Sequence, residues 1–207
     1  LAQEGVPIGC ICLVVEGGLR VSGRDLNGEP FTIRRLHAGE CWVLNSGLQG
    51  VAAATCRSTE KTKLLSIPVE LWQNWWNEFP DLQKWTAEKV NTEDVYAGLR
   101  PYLMRRALKD LSFLEIVEKF KSDLLYSQII NAEELKKLYA DSDMSWFMPS
   151  SEHLLPEADF PGSAGFSLKV LDQALTRCQY GLRLLGFPKQ ILQDLGVFAE
   201  TDSKETN

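Results

Sequence analysis

A chain of 207 residues, 44% hydrophobic and 24% charged, has enough apolar material for one large domain or for a small domain with an extension. That composition excludes disorder as the starting point. The net charge of −6 excludes the broad basic footprint on which nucleic-acid binding normally depends. Residues 1–90 carry 9 Lys and Arg against 10 Asp and Glu, and residues 91–207 carry 13 against 18, so the acidity lies mainly in the second half.

Residues 7–16, PIGCICLVVE, are apolar and β-branched and predict a buried strand ending at Gly17-Gly18. Residues 19–23, LRVSG, alternate as a half-exposed strand does. Asn27-Gly28 predicts a two-residue turn into FTIRRL, residues 31–36, because both turn positions need positive φ. Cys41 to Leu44, Val51 to Cys56 and Leu64 to Ile67 continue the series, and Pro68 ends it. Short strands at regular spacing with Gly-rich turns predict a sandwich or barrel.

The period changes to 3.6 at Val69. Val69, Leu71, Trp72, Trp75, Trp76 and Phe79 make a broad aromatic face, stopped by Pro80. That face suits a cap on the open end of the barrel; its alternative use is partner docking, since Trp is enriched at binding hot spots. Asp81 is the expected cap of DLQKWTAEKV. Asn91 or Thr92 is the expected cap of a helix reaching about Ala107, with a kink or break near Gly98–Pro101. Residues 110–125 and 132–140 read as helices, the second capped by Asn131. Residues near 141–166 read as a long loop with a short strand at Ser145 to Met148. A last helix is expected at 167–185, ending at Gly186 and Pro188, before a polar, frayed tail.

The cysteines, Cys10, Cys12, Cys41, Cys56 and Cys178, are odd in number and form no Cys-x-x-Cys. They imply a reducing, cytoplasmic compartment and small hydrophobes in place of disulfides. The longest apolar run, Val6 to Val15, is far short of the ~20 residues that span a bilayer, so no membrane span is expected. The chain opens Leu1-Ala2-Gln3 without Met and enters a strand almost at once, so we expect it to be one part of a larger protein.

Residues 36–68, LHAGECWVLNSGLQGVAAATCRSTEKTKLLSIP, organise the first half. Leu36 and Gly39 open the stretch, Trp42 supplies an aromatic, Ala54, Cys56 and Ser58 alternate, and Leu64 to Pro68 close it before a helix. This frame resembles the phosphate-binding cassette of cyclic-nucleotide-binding domains, and Leu13 to Val21 looks like that family's strand-Gly-strand hairpin. The resemblance covers about residues 8–90. It implies an N-terminal antiparallel jelly-roll β-barrel, over 1–90, with capping helices. The degenerate cassette positions it marks as ligand-binding candidates are Gly39, Glu40, Trp42, Val43, Leu44, Ala52 and Ala53.

The cassette chemistry is absent. In the family a Gly lets backbone amides approach the ligand, a Glu holds the ribose hydroxyl and an Arg pairs with the phosphate. Val43, Leu44 and Ala52 stand at those places. A buried phosphate without a cation is expensive to desolvate. Glu40 comes four residues early. Arg57 is placed on the same strand as Ala52, but its odd offset points it to the opposite face. We therefore expect no ordinary cyclic-nucleotide binding. The run from Gly39 to Pro68, with the helix-rich segment after it, also resembles degenerate domains N-terminal to ATP-binding-cassette (type I secretion) exporters of cyanobacteria, as does Trp146 to Glu152. That resemblance implies a cytosolic regulatory portion whose partner is another protein or the rest of a transporter chain.

Other chemistries lack their residues. His37 and His153 are far apart and form no cupin-type metal motif, so no metal and no cofactor is expected. Hydrolase elbows and phosphate-binding P-loops are also missing. Arg105, Arg106 and Lys109 suit a helix C-terminus or a contact to an acidic or phosphate partner, and Lys136-Lys137 suits a solvated face. The expected fold is therefore α+β: the jelly-roll barrel, then a largely helical segment over 91–207. The expected function is a non-enzymatic regulatory or interaction domain with a vestigial pocket. The alternative is a sensor of a small molecule other than a cyclic nucleotide, held in the same cavity by Trp42, Ala52 and their neighbours. A DNA-binding regulator would need a basic helical face, and none is apparent.

Overall fold

The computed structural model describes residues 1–25, 28–42, 48, 50–87, 91–103, 125–129, 131–140, 143–147, 166–178 and 181–194. The expectations for Asn27, Val43, Leu44, Arg105, Arg106, Lys109, His153, the helix over 110–124, most of the 141–166 loop and the tail lie outside these residues.

Six strands fill the first part: β1 (Cys10–Glu16), β2 (Leu19–Arg24), β3 (Pro30–Leu36), β4 (Cys41–Trp42), β5 (Thr55–Ser58) and β6 (Lys63–Pro68). They form two antiparallel sheets, in the orders β4-β1-β6 and β3-β2-β5. Ile11 and Val14 from one sheet share a core with Leu19, Val21, Ile33, Leu36 and Cys56 from the other. The two sheets thus face each other, and no closed barrel is formed among the described residues.

Strand alternation decides the faces. Leu19, Val21 and Gly23 are buried, whereas Arg20, Ser22 and Arg24 are not. Two expectations change here. The Leu13–Val21 stretch is not a hairpin, because β1 and β2 lie in different sheets. Gly17 makes the crossing at φ 84°, and a Cβ there would stand 2.6 Å from the Lys61 carbonyl oxygen. The β2–β3 turn is wider than two residues: Asp25 N–H donates to the Glu29 carbonyl, Gly28 N–H donates to the Asp25 carbonyl, and Gly28 sits at φ 84°. That pattern is a turn closed by a left-handed glycine.

Residues 51–54 are a further correction. Strand β5 starts only at Thr55, so Ala52 and Arg57 do not share a strand. Ala52 instead bonds the N-terminal segment, which runs antiparallel beside it: its N–H donates to the Val6 carbonyl, and its carbonyl accepts from Gly5.

Helix α1 (Val69–Glu78) buries Trp72 and Trp76 in the sandwich core, while Trp75 and Phe79 stay exposed. Helix α2 begins at Pro80 (Pro80–Ala87), so Asp81 lies in its first turn and not at its cap. The buried Thr86 hydroxyl accepts from Trp76 Nε1 at 3.0 Å. Helix α3 (Thr92–Leu103) runs through Gly98 and Pro101 without a break. Its Tyr96 enters the sandwich core, and its hydroxyl accepts from the Arg24 N–H at 2.8 Å.

Among its described residues the second part holds a sheet as well as helices. Strands β7 (Leu125–Ile129), β8 (Met144–Phe147) and β9 (Leu182–Pro188) form an antiparallel sheet in the order β7-β9-β8. Helices α4 (Ala132–Tyr139), α5 (Leu168–Leu175) and α6 (Lys189–Asp194) accompany it. Asn131 caps α4 as expected, accepting from Glu133 and Glu134. The expected helix over 167–185 stops at Leu175, and its last four residues, 182–185, belong to β9. That strand is central and buried on both faces. Leu182 and Leu184 join Leu135 and Leu171 in one core, while Arg183 turns toward Asp94. Buried strands read as continuous apolar runs, so the alternation signal is lost. At Gly98 a Cβ would lie 3.2 Å from Leu185, so α3 and this sheet pack closely.

Candidate functional site

The cassette positions split into a turn and a packed interior. Gly39 occupies the β3–β4 turn at φ 90°, and its N–H donates to the Val14 carbonyl at 2.8 Å. Glu40 is exposed, and its carboxylate accepts from the His37 backbone N–H at 2.7 Å, so it closes its own turn. Trp42, Ala52 and Ala53 are buried. Trp42 and Ala52 belong to the same core as Leu48, Ala54, Trp72 and Tyr96. Val43 and Leu44 lie outside the described residues. The structure therefore brings Trp42 and Ala52 together and leaves Glu40 outside. The methyl of Ala52 offers no charge to an anion, and both backbone groups of Ala52 are already bonded to the N-terminal segment.

The charges near this core are paired with one another. Arg34 donates from Nε at 2.9 Å and Nη2 at 2.8 Å to a single oxygen of Glu93. Burial raises the Glu93 carboxyl above its usual range, against the pull of Arg34. Arg183 and Asp94 form a second pair at 3.3 Å, with side chains only 2% and 3% exposed. Burial lowers Arg183 to about 10, and Asp94 opposes the shift. Nothing in the sequence flagged these pairs, because their members lie far apart along the chain. Burial pushes the Cys56 thiol up to about 12 and Cys12 and Cys178 to about 11, so none of the three is a ready thiolate.

A cleft of about 1070 Å³ borders the cassette, with Ala52 and Ala53 in its lining beside residues of β2 and β5. One wall is the N-terminal segment, which bridges Cys56 through Ala2. Its floor is built from the non-core positions of β2 and β5, among them Arg20, Ser22, Arg24, Thr55 and Arg57. Among the described residues no group of His, Cys, Asp and Glu could hold a metal ion, and no helix is long and apolar enough to cross a membrane.

The chain matches no protein-family model. It matches no curated protein. Several solved structures share part of its outline. A transcriptional regulator from Thermotoga maritima is 20% identical over 41% of this chain and 67% of that one, at a TM-score of 0.34. The N-terminal domain of a transcriptional regulator from Streptomyces coelicolor is 24% identical over 41% of this chain and 59% of its own length, at 0.35. A mutant regulatory subunit of a cAMP-independent protein kinase A from Trypanosoma brucei, bound to cAMP, is 16% identical over 46% of this chain and 38% of that one, at 0.35. At these TM-scores the likeness carries no functional inference.

Proposed function

We propose that this chain is a non-enzymatic regulatory or protein-interaction domain of the cyclic-nucleotide-binding, jelly-roll type, with a vestigial pocket. The observation that carries the reading is the state of the cassette. Trp42, 3% exposed, and Ala52, 2% exposed, are packed in one core with Leu48 and Trp72. Among the described residues, Arg34 is the cation paired into that region, and Glu93 holds it. A phosphate placed beside Trp42 and Leu48 would have to displace packed side chains. The same packing weakens the alternative of a small-molecule sensor using that cavity. On the resemblance to exporter-linked domains, we infer a cytoplasmic module that acts on another protein or on the rest of a transporter chain.

The test is a titration with cyclic AMP and cyclic GMP, followed by thermal unfolding and Trp fluorescence. A ligand at about 100 times its Kd adds roughly 2.7 kcal/mol of stability. The expected result is no saturable shift arising from the cassette. A saturable shift that survives in Arg57→Gln would sink the reading.

A further inference from the structure

The register of the β3-β2-β5 sheet aligns three arginines that are distant in sequence. Arg20 pairs with Arg35 on one side and with Arg57 on the other. Residues directly paired across antiparallel strands share a face, so the three side chains form one row, roughly 10 Å from end to end at the usual strand spacing. Like charges in that arrangement oppose folding. Among the described residues none of the three makes an ion pair or a side-chain hydrogen bond with a carboxylate. The Arg20 Nε is buried and has no hydrogen-bond partner among the described residues.

Arg20 and Arg57 lie in the floor of the cleft beneath the N-terminal segment, with Ser22 and Thr55 next to them in register. Glu4 lines the same cleft, but its carboxylate oxygens lie 3.3 and 3.4 Å from the Tyr96 hydroxyl. Repulsion between adjacent guanidinium groups, and an orphaned donor among them, are both relieved by an anion. Guanidinium forks match phosphate oxygens two at a time, and a phosphate monoester brings close to two charges at pH 7. The net charge of −6 disfavours an extended polyanion, while a concave cleft admits a small molecule.

We propose that this cleft binds a small phosphorylated molecule, with Arg20 and Arg57 holding its phosphate. Ala52 and Ala53 line the same cleft, so the inference borders the reading of the cassette and turns on Arg20 and Arg57 instead of on the cassette positions.

The experiment is calorimetric titration of the protein with inorganic pyrophosphate. Arg57→Gln tests the site, and Lys63→Gln, a surface cation outside the cleft, is the control. The wild type and Lys63→Gln are expected to bind at one saturable site. Arg57→Gln should bind about tenfold more weakly or worse, since a charge-assisted fork is lost. Without ligand, Arg57→Gln should melt at the same temperature as the wild type or higher, because it removes a repulsion. Absence of binding, equal binding by both variants, a lower melting temperature for unliganded Arg57→Gln, or binding of heparin without a response to pyrophosphate would each overturn the proposal. The same variant separates the two readings. A cyclic-nucleotide shift that vanishes in Arg57→Gln depends on the arginine pair, and one that survives depends on the cassette positions.

Discussion

The buried pair between Arg183 and Asp94 joins the second sheet to helix α3, and it can be weighed. The guanidinium and carboxylate approach to 3.3 Å with side chains 2% and 3% exposed, and Arg183 Nη1 also donates to the Thr86 carbonyl at 3.4 Å. Desolvation and attraction nearly cancel in such a pair, so its net worth is small. Breaking it is another matter. Arg183→Met leaves the Asp94 carboxylate buried without its cation, at about 3–5 kcal/mol. For a protein of this size that lowers Tm by about 6–20 °C. Replacing both residues, as Arg183→Met with Asp94→Leu, removes the stranded charge and should recover most of the loss. The assay is thermal unfolding by circular dichroism on the wild type, both single variants and the double variant. If Arg183→Met stays within about 1 kcal/mol of the wild type, or the two losses simply add, the strut between sheet and helix is not what these residues form.

Two further outcomes follow from the packing. Gly23→Ala places a methyl 2.5 Å from ring carbons of Tyr96, so it should cost about 1–3 kcal/mol by urea unfolding; an unchanged midpoint would mean that Tyr96 does not pack against β2. Glu93 has a folded pKa above its ordinary value of 4.5, so the folded state holds this proton more tightly than the unfolded chain. Its contribution to stability is full below about 4.5 and is lost as pH rises through the raised folded value. Glu93→Gln removes that dependence, so its stability should fall less than that of the wild type between pH 4.5 and neutrality. Parallel stability–pH curves for the two proteins would count against burial of an ionisable Glu93.

The first half of the fold was legible because its strands show two different faces. Leu19 and Val21 against Arg20 and Ser22 is an alternation that a sequence displays directly. The second half hid its sheet for the opposite reason. In Leu182–Pro188 both faces are covered, so Leu182, Leu184, Leu185 and Phe187 run together with a buried Arg183, and the run reads as the end of the preceding helix. The alanines at 52–54 misled in a related way. Ala52, Ala53 and Ala54 are all buried by their neighbours without belonging to a named strand, so burial there does not report strand pairing.

That position 52 brings no cation could be read from the residue type alone, because an alanine cannot present one whatever its surroundings. The arginine row could not. Arg20, Arg35 and Arg57 each look like an ordinary surface cation, and only hydrogen-bond register sets them side by side. Register is a fragile quantity. Slipping β5 by one residue would turn Arg57 toward the core and Cys56 outward, so burial of Cys56 beside Val21 is what holds Arg57 on the outer face. The β2–β3 bulge lies between Val21 and Ser22, beyond Arg20, and so leaves Arg20 opposite Arg35. The core thus dictates the charge pattern on the surface behind it: hydrophobic pairing on one face fixes a cationic row on the other, at a repulsive cost that a bound phosphate would offset.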